Sequence, residues 1–549
     1  MELIMSSTNS RNNRFIVQGS ILAISSILVR VIGLLYRIPL INIIGDEGNA
    51  IYGYAFNIYN LALILSSYSL PLAVSKLIAA RNIKKEYRNS YRILIAALLF
   101  AIVVGFSFTC LLYFGSDFIA TVIYKTPEMA YPLKVLAPTI FVFSLMGVFR
   151  GFFQGKNTMI PTAISQVAEQ IVNAIVSIVA AYLFMQAHDA ASDVAAYGAA
   201  GGTLGTLIGA FTGLLFLAFT FAMYYPGFKR RIYKDRTGRV EHYPAIYAML
   251  FMTIVPVILS QAVYQLNNSF DDILFKQIMT SKGIVSKQSS LWSGYYSKYI
   301  LLTNVPISIS AALGTAVIPG IVGSISMANF KQVRSSIHTA IKFNMLIAIP
   351  SAVGLSVLGA PVFSMLFGGC NEMEKNMMIF GSIGIIFFAL STMTNSILQA
   401  INLMRKPVIH SAIALLIHVP FLALLLNFTN LGIYGLLIGN VTFPIVICIL
   451  NWREIAKNIN YKQEIMGTFI KPLLSAGIMG GVAFVVYKFI VILSHSNAIA
   501  TILALGLAVP TYFASLLLLK GVTENELAAM PKGSLLVRIA KKLHLLSRF

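Results

Sequence analysis

Three observations predict an all-α polytopic membrane protein. Of the 549 residues, 57% are hydrophobic and only 11% charged, where a soluble domain carries about 25%. Apolar runs of roughly 20 residues or more recur along the whole chain. The segments between them are too short to hold a soluble catalytic domain. A soluble chain of this length would form about three or four domains with charged surfaces, and this composition cannot cover them. Soluble enzyme, secreted disulfide scaffold and disordered chain are thereby excluded.

The expected spans fall at 15–41, 51–80, 93–115, 132–153, 161–186, 196–224, 245–268, 296–325, 338–367, 377–401, 407–426, 431–451, 467–490 and 498–519, fourteen in all. An even number puts both termini on one side. The polar start, MELIMSSTNSRNNR, runs into the first span with no small-residue cleavage site, so that span serves as an uncleaved insertion signal. Cys110, Cys370 and Cys448 are far apart and form no CxxC pair, which argues against a disulfide framework or a zinc site.

The net charge of +22 admits nucleic acid, anionic lipid, an anionic substrate or topology alone. With a cytoplasmic N-terminus, the inner loops are the basic ones: 81–92, 149–157, 228–239, 330–334, 404–407 and 452–464. About 29 of the 41 Lys and Arg residues lie inside and about 8 outside, a positive-inside split. Nearly all the excess charge is therefore an orientation signal that also contacts anionic headgroups. No aromatic platform is interleaved with it, so nucleic acid is not a partner.

Short matches recur in the same order in 1–225 and 245–451. SLPLAVSKLIAARN (69–82) parallels AVIPGIVGSISMAN (316–329), FFQGKNTMIP parallels ILQAINLMRKP, and GAAGGTLG (198–205) parallels GIYGLLIG (432–439). Six spans per copy makes the repeats parallel, two lobes about an axis along the membrane normal. The expected organisation is an N-lobe (1–225), a basic linker (226–244), a C-lobe (245–451), a loop (452–466), two additional helices (467–519) and a tail (520–549). Pro71, Pro319, Gly198 and Gly432 are the hinge candidates.

Charges buried in hydrocarbon are costly and mark candidate sites. Arg30 and Arg37 stand seven residues apart on the first span, on one face about 10 Å apart, with Gly33 between them. Snorkelling or capping of carbonyls is the alternative, stronger for Arg37 than for Arg30. Pro39 is expected to bend or end that helix. Glu169 is the one carboxylate well inside a span, with Gln166, Gln170 and Asn173 on its helix. It reads as a hydrogen-bonded partner of an arginine or as a proton or substrate site. Lys298 opens the eighth span as an interfacial anchor or a substrate contact. Asp271 and Asp272 fall at the expected outer mouth, solvated or cation-binding. Lys76, Arg150 and Lys342 read as snorkelling residues at inner helix ends, and His418 as a structural histidine. No P-loop, metal-ligand cluster or Ser-His-Asp constellation appears. Guanidinium groups bind phosphate bidentately without changing protonation, so buried arginines favour an anionic, phosphate-bearing substrate.

At VRVIGLLYRIPLINIIGDEGNAIYGYAFNIYNLALILSSYSLPLAVSKLIA (29–79), RGFFQGKNTMIPTAISQVAEQIV (150–172) and LLTNVPISISAALGTAVIP (301–319) the chain resembles oligosaccharide flippases of the polysaccharide-biosynthesis, stage V sporulation protein B type. These are related to the MurJ lipid II flippases, in the superfamily that also holds multidrug extruders. The resemblance implies two six-helix lobes, two C-terminal helices forming a lipid-tail groove, and transfer of an undecaprenyl-diphosphate-linked sugar between leaflets. It matches Arg30 and Arg37 to the first-helix arginines that take the diphosphate, and sets Lys298 near an eighth-helix arginine. The chain departs from that pattern at the uncharged Asn60, Leu61 and Ala62 and at Asn173, where relatives carry basic residues. It implies a monomer in the bacterial cytoplasmic membrane, with both termini cytoplasmic, working beside wall-synthesis proteins. No cofactor is expected beyond a coupling Na+ or H+, with Glu169 or the Asp271 region as its candidate site. The alternatives are a drug/cation antiporter on the same fold and a scaffold that transports nothing.

Overall fold

The structure, a computed structural model, describes residues 2–524 except 239, together with 526, 537, 538 and 541. Side chains are described for these residues apart from 2–20, 23, 24, 256, 260, 315, 316, 319 and 326. Most of the expected tail, and the side chain of Pro319, therefore lie outside the described residues. Every regular element among the described residues is helical. Eleven helices are long and apolar enough to cross a bilayer, twelve if one pair bent by 44° is a single broken span. The expected fourteen is not reached on this measure. It takes Ser25–Ile83, which holds the first two expected spans, as one element, and it does not include the helix that holds the eighth.

The chain forms two compact units, Met1–Gly294 and Tyr295–Phe549. In the first, α1 (Glu2–Ser66) runs through Pro39 and breaks only at Gly45 (φ 69°, ψ −178°). That backbone conformation is open to glycine and strained for other residues. The helix therefore does not end at Pro39 as expected, and the expected loop at 43–50 is a one-residue break. After a short turn, α2 (Leu70–Ile83) opens with Pro71 in its first turn, where the missing N–H costs nothing. Then follow α3 (Tyr87–Phe118), α4 (Ala130–Gly155), α5 (Ile160–Ala187), α6 (Val194–Tyr233) and α7 (Tyr243–Ser281). Next is α8 (Ser286–Ser326), and the boundary between the units falls within it, after Gly294. Of the other hinge candidates, Gly198 lies inside the continuous α6, and Pro319 falls within the helical run of α8.

Inside a bilayer, helices gain little by leaving lipid, so close packing must hold them. Two glycine seams supply it in the first unit. Along α6, a Cβ at Gly201 would stand 2.5 Å from the Ala180 carbonyl oxygen and one at Gly209 2.6 Å from that of Glu169. At Gly205 it would overlap Ser177. Along α4, a Cβ at Gly151 or Gly155 would press 2.7 Å or 2.9 Å against Val74 or Ile78 of α2. The first seam seats α5, with Glu169 and Asn173, against α6.

The stretch expected as a basic linker is mostly structured. Its residues 226–233 complete α6 and 243–244 open α7, and between them Asp235 and Glu241 form a collar docked on the facing ends of α2 and α3. Arg81 pairs with Glu241 at 2.5 Å, the Arg88 N–H donates to Asp235 at 2.9 Å, and the Glu241 N–H donates to Asn89 at 3.0 Å. Arg92 lies 4.4 Å over the Tyr243 ring. Nearby, Lys156 donates to Asn82 at 2.9 Å and faces Phe228 at 4.1 Å. Burial, seconded by the charge of Arg231, lowers Lys156 to about 8.

The second unit continues with α9 (Phe330–Phe367), α10 (Glu372–Gly381), α11 (Gly384–Ala400), α12 (Arg405–Phe428), α13 (Ile433–Ile459), α14 (Lys471–Ser494) and α15 (Asn497–Leu518). The pair α10 and α11 is the broken span, and α13 is capped by Gly432 at φ 55°. A row at i, i+4 and i+8 on α9 fastens both ends of the α14–α15 hairpin. Arg334 donates to the Ile459 carbonyl at 3.3 Å, His338 stands 3.6 Å from Glu464, and the buried Lys342 grips Glu526 at 2.8 Å through both oxygens. Lys342 was expected to snorkel, and it is instead paired. Lys76 is exposed, as that reading expects.

Gly205→Leu and Gly209→Val are expected to force α5 from α6 and cost about 1–3 kcal/mol or more, read as a lower melting temperature in detergent. The docked stretch 234–242, the collar, predicts a pH effect through Asp235. Burial alone would raise the Asp235 carboxyl, but the N–H groups of Arg88 and Thr237 and the Thr237 hydroxyl outweigh it and hold it below its ordinary value. Its contribution is thus full above the ordinary aspartate range near ~3.9 and lost as pH falls through the lowered value. Asp235→Asn should flatten that acid limb of stability, lowering the melting temperature at neutral pH and still at about pH 4, with the difference from the unaltered protein closing only as pH falls through the lowered value.

Candidate functional site

The first unit gathers the expected polar residues between α1, α4 and α5. Glu169 is bound by Arg150 at 2.6 Å, with side-chain exposures of 17% and 11%, and Arg150 Nε also donates to Ser165 at 3.1 Å. Arg150 was expected to snorkel to the inner surface. It turns inward because a carboxylate one helix away is worth more to it than headgroup water. Asn173 accepts from Ser177 at 2.9 Å, and Ser177 also donates to the Gly202 carbonyl of α6. The Gln166 Oε1 atom is buried without a hydrogen-bond partner.

On α1, Arg30 is exposed and Arg37 half-buried. The Arg37 guanidinium lies 4.3 Å over the ring of the fully buried Tyr52, a cation–π contact, and its Nε has no hydrogen-bond partner. Arg37 makes no ion pair among the described residues. Gly33 lies between the two arginines, and the amide nitrogen of Gln170 comes within 3.3 Å of where its Cβ would be. A Cβ at 33 would require the end of the Gln170 side chain to shift by a few tenths of an ångström.

Asp271 and Asp272 are not at a loop. The polar run QLNNSFDD reads as a connection, yet α7 continues through it to Ser281, and Asp271 is buried. Asn57 of α1 donates to Asp272 at 2.6 Å, and Gln265 donates to the Asn57 carbonyl at 3.1 Å. One turn on, Lys276 is wholly buried and donates to Ser289 and Ser290 at 2.9 Å each and to the Ser286 carbonyl at 3.1 Å. Sequence reasoning missed Lys276, because it sits where hydropathy places an outer loop. The far end of α7 is thus fastened to α1 and to the first turns of α8, as its near end is fastened by the collar. This is the physical reason that α7 belongs to the first unit.

In the second unit, Lys298 is buried and pairs with the buried Glu374 at 2.9 Å. Glu374 closes the capping box of α10 with Asn371. His418 is buried and bonds Thr442 at 2.9 Å, a structural contact.

Residues 16–324, more than half of the chain, match the family of polysaccharide biosynthesis proteins. The chain belongs to that family. Among curated relatives, it is 28% identical to lipid II flippase MurJ of Bacillus subtilis (strain 168) over 74% of this chain and 77% of that one. It is 24% identical to stage V sporulation protein B of the same organism, over 80% and 83%. Among solved structures, lipid II flippase MurJ in its inward closed conformation superposes with a TM-score of 0.64, at 16% identity, over 90% of this chain and 97% of that one. The fold of this family member is therefore that of the MurJ and multidrug-extruder transporters, and the protein is a multi-pass membrane transporter and not an enzyme.

The Arg150–Glu169 pair yields a direct test in this transporter. Arg150→Met or Glu169→Leu alone leaves one buried charge unpaired and should cost about 3 kcal/mol, while the double substitution should recover most of it. Melting of the purified variants in detergent measures the cycle. Single variants that melt with the unaltered protein would show Glu169 to be available for another ion.

Proposed function

We propose that this transporter carries a diphosphate-linked lipid sugar from the inner to the outer leaflet by alternating access, with Arg30 and Arg37 receiving the diphosphate. The observation that carries this reading is the division of charges on α1 and α5. Glu169 is already neutralised by Arg150, whereas Arg37 is held on an aromatic face and makes no ion pair among the described residues. The guanidinium lies over the Tyr52 ring, and its Nε, which has no hydrogen-bond partner, is a donor for an acceptor such as phosphate. Membership in the polysaccharide biosynthesis family and the similarity to a lipid II flippase support the same substrate class.

The cation-antiporter reading requires a carboxylate ready to take a cation, and the pairing of Glu169 disfavours it. Lys298, paired with Glu374, acts here as a structural tie. The protein lies in the bacterial cytoplasmic membrane with the basic collar inside, a placement supported by the clustering of Arg81, Arg88, Arg92, Lys156 and Arg231 on the loops expected to be cytoplasmic.

Reconstitution in liposomes with a fluorescent polyprenyl-diphosphate sugar tests the proposal. Arg30→Glu and Arg37→Glu should abolish movement to the protected leaflet, and each Ala variant should slow it by about tenfold or more, the worth of one charge-assisted contact. Arg37→Lys should restore only part of the rate. Full transport by both Ala variants would sink the assignment, and cation efflux that survives Arg30→Glu would favour the antiporter.

A further inference from the structure

Near the Asp272 end of α7, the hydroxyls of Tyr54, Tyr124 and Ser293 are buried without a hydrogen-bond partner among the described residues. Those residues are at most 3% exposed. Buried hydroxyls are nearly always hydrogen-bonded, so several together mark a place for a polar occupant. They form one cluster. The Tyr54 and Tyr124 rings lie 5.3 Å apart between centroids, Tyr54 faces Ser290, Ser293 and Asp272, and Tyr124 also faces Asp272. All of these residues belong to the first unit. Asp272 is half-buried and accepts a bond from Asn57; Asp271, beside it on α7, is buried. The titratable groups around Asp272 are thus Asp271 and Lys276 of α7, Tyr54 of α1, and Tyr124 between α3 and α4. Glu47 and Glu128 lie further out, on the side of Lys276, and α8 faces the cluster with serines. The Lys276 ammonium does not claim the carboxylate, because Ser286, Ser289 and Ser290 take up its protons.

We propose that this cluster is a proton site: Asp272 takes up a proton, and the Tyr54, Tyr124 and Ser293 hydroxyls hold the water through which it arrives. The proposal concerns no substrate, so it stands apart from the function proposed above. A hydronium ion gives its proton to a carboxylate oxygen of Asp272, one O–H bond breaks and one forms, and water is left; nothing is oxidised or reduced. The chemistry of the shell favours a proton over a metal cation. The groups that meet the carboxylate are donors, the Asn57 amide and the hydroxyls, whereas a hard cation needs a shell of acceptor oxygens. A hydroxyl donates to a carboxylate and turns to accept from a carboxyl, so one shell serves both forms. Asp271 adds to this, since adjacent carboxylates withdrawn from bulk water favour the state that holds a proton. Water fits the remaining polar atoms, because a buried water needs about two to four polar partners and the hydroxyls and the carboxylate supply them. Proton uptake also has a mechanical consequence. The 2.6 Å bond from Asn57 to Asp272 is charge-assisted and weakens when the carboxylate is neutralised, so acid loosens α7 from α1.

Infrared difference spectroscopy of the full-length protein in lipid nanodiscs, titrated from about pH 8 to about pH 4 to span the carboxyl range, reads the site directly. Acid should bring up a protonated-carboxyl C=O band that is lost in Asp272→Asn. Tyr54→Phe combined with Tyr124→Phe should keep that band and shift its frequency, because the carboxyl loses hydrogen-bond partners. A second measurement leaves the cluster unaltered and so holds even if Asp272→Asn fails to fold. Spin labels at the exposed Leu65 of α1 and Leu259 of α7 should give a distance distribution that broadens over the pH range in which the band appears. The same labels with Asp272→Asn should give the broad distribution at every pH. An acid titration whose carboxyl bands are the same with and without Asp272 overturns the proposal, as does a band indifferent to the loss of both phenol hydroxyls. A label distance that stays the same from one end of the titration to the other overturns it as well. So does removal of the band by added Na+ at constant pH, which would make the cluster a metal site.

Discussion

Every charge placed among apolar helices must find its compensation within the protein, and most of this architecture is arranged around that demand. Taking an ion out of water costs several kcal/mol even after relaxation, and lipid offers nothing in return. The chain meets the cost in three ways. Carboxylates are matched with cations on a neighbouring helix, as Glu169 with Arg150 and Glu374 with Lys298. A lone ammonium is wrapped in hydroxyls, as Lys276 is by Ser289 and Ser290. A guanidinium is laid on a ring, as Arg37 on Tyr52. Each solution also fixes which helices stay together. The glycine seams make the helices close enough for these short bonds to form, so packing and pairing depend on one another.

The same demand explains how α7 is held. It opens the stretch expected as the second repeat, yet it is bound to the first unit at both ends. At one end stand Arg81–Glu241 and Arg92–Tyr243; at the other, Asn57–Asp272 and the serine cage of Lys276. The two fastenings differ in chemistry. The collar joins exposed and half-buried basic residues to acceptors that include the buried Asp235 and Asn89, and salt weakens its ion pairs, whereas the far end holds a half-buried carboxylate and a buried ammonium whose partners are contributed largely by other helices. Parting α7 from α1 at that end would strip Asp272 of Asn57.

Much of this was legible in the sequence, and the misses share a cause. Long apolar runs identify the helices, because hydropathy reports depth in the membrane. Depth alone says nothing of partners. Arg150 stands near the end of its expected span and so reads as a snorkelling residue, yet the next helix runs antiparallel to it and carries Glu169 within reach of a long side chain. A buried carboxylate requires a cation, and matching depth across adjacent antiparallel spans would have found it. Asp272 and Lys276 were hidden differently. A helix that turns polar at its end looks like a loop to a hydropathy window, although its polar groups are satisfied by Asn57 and the serines of neighbouring helices. The break at Gly45 was readable as an interruption in IIGDEGNA, but the persistence of helix on either side of it was not.

Pairing also separates two cations that sequence alone treats alike. Arg37 and Lys298 are both basic residues near the ends of apolar spans, and both are candidates for an anionic substrate. An anion that recruits Lys298 must draw it from Glu374, leaving a carboxylate of 3% side-chain exposure without its ion partner, a penalty of about 3–5 kcal/mol. That is comparable to the whole gain from one charge-assisted hydrogen bond, or larger. At Arg37 no ion pair among the described residues is displaced, since the guanidinium lies over the ring of Tyr52 and its Nε has no hydrogen-bond partner. The ring even helps, by fixing a side chain whose rotamer freedom would otherwise oppose binding. Two residues of the same sign in similar surroundings thus have different uses, and the difference lies in the neighbour each already has.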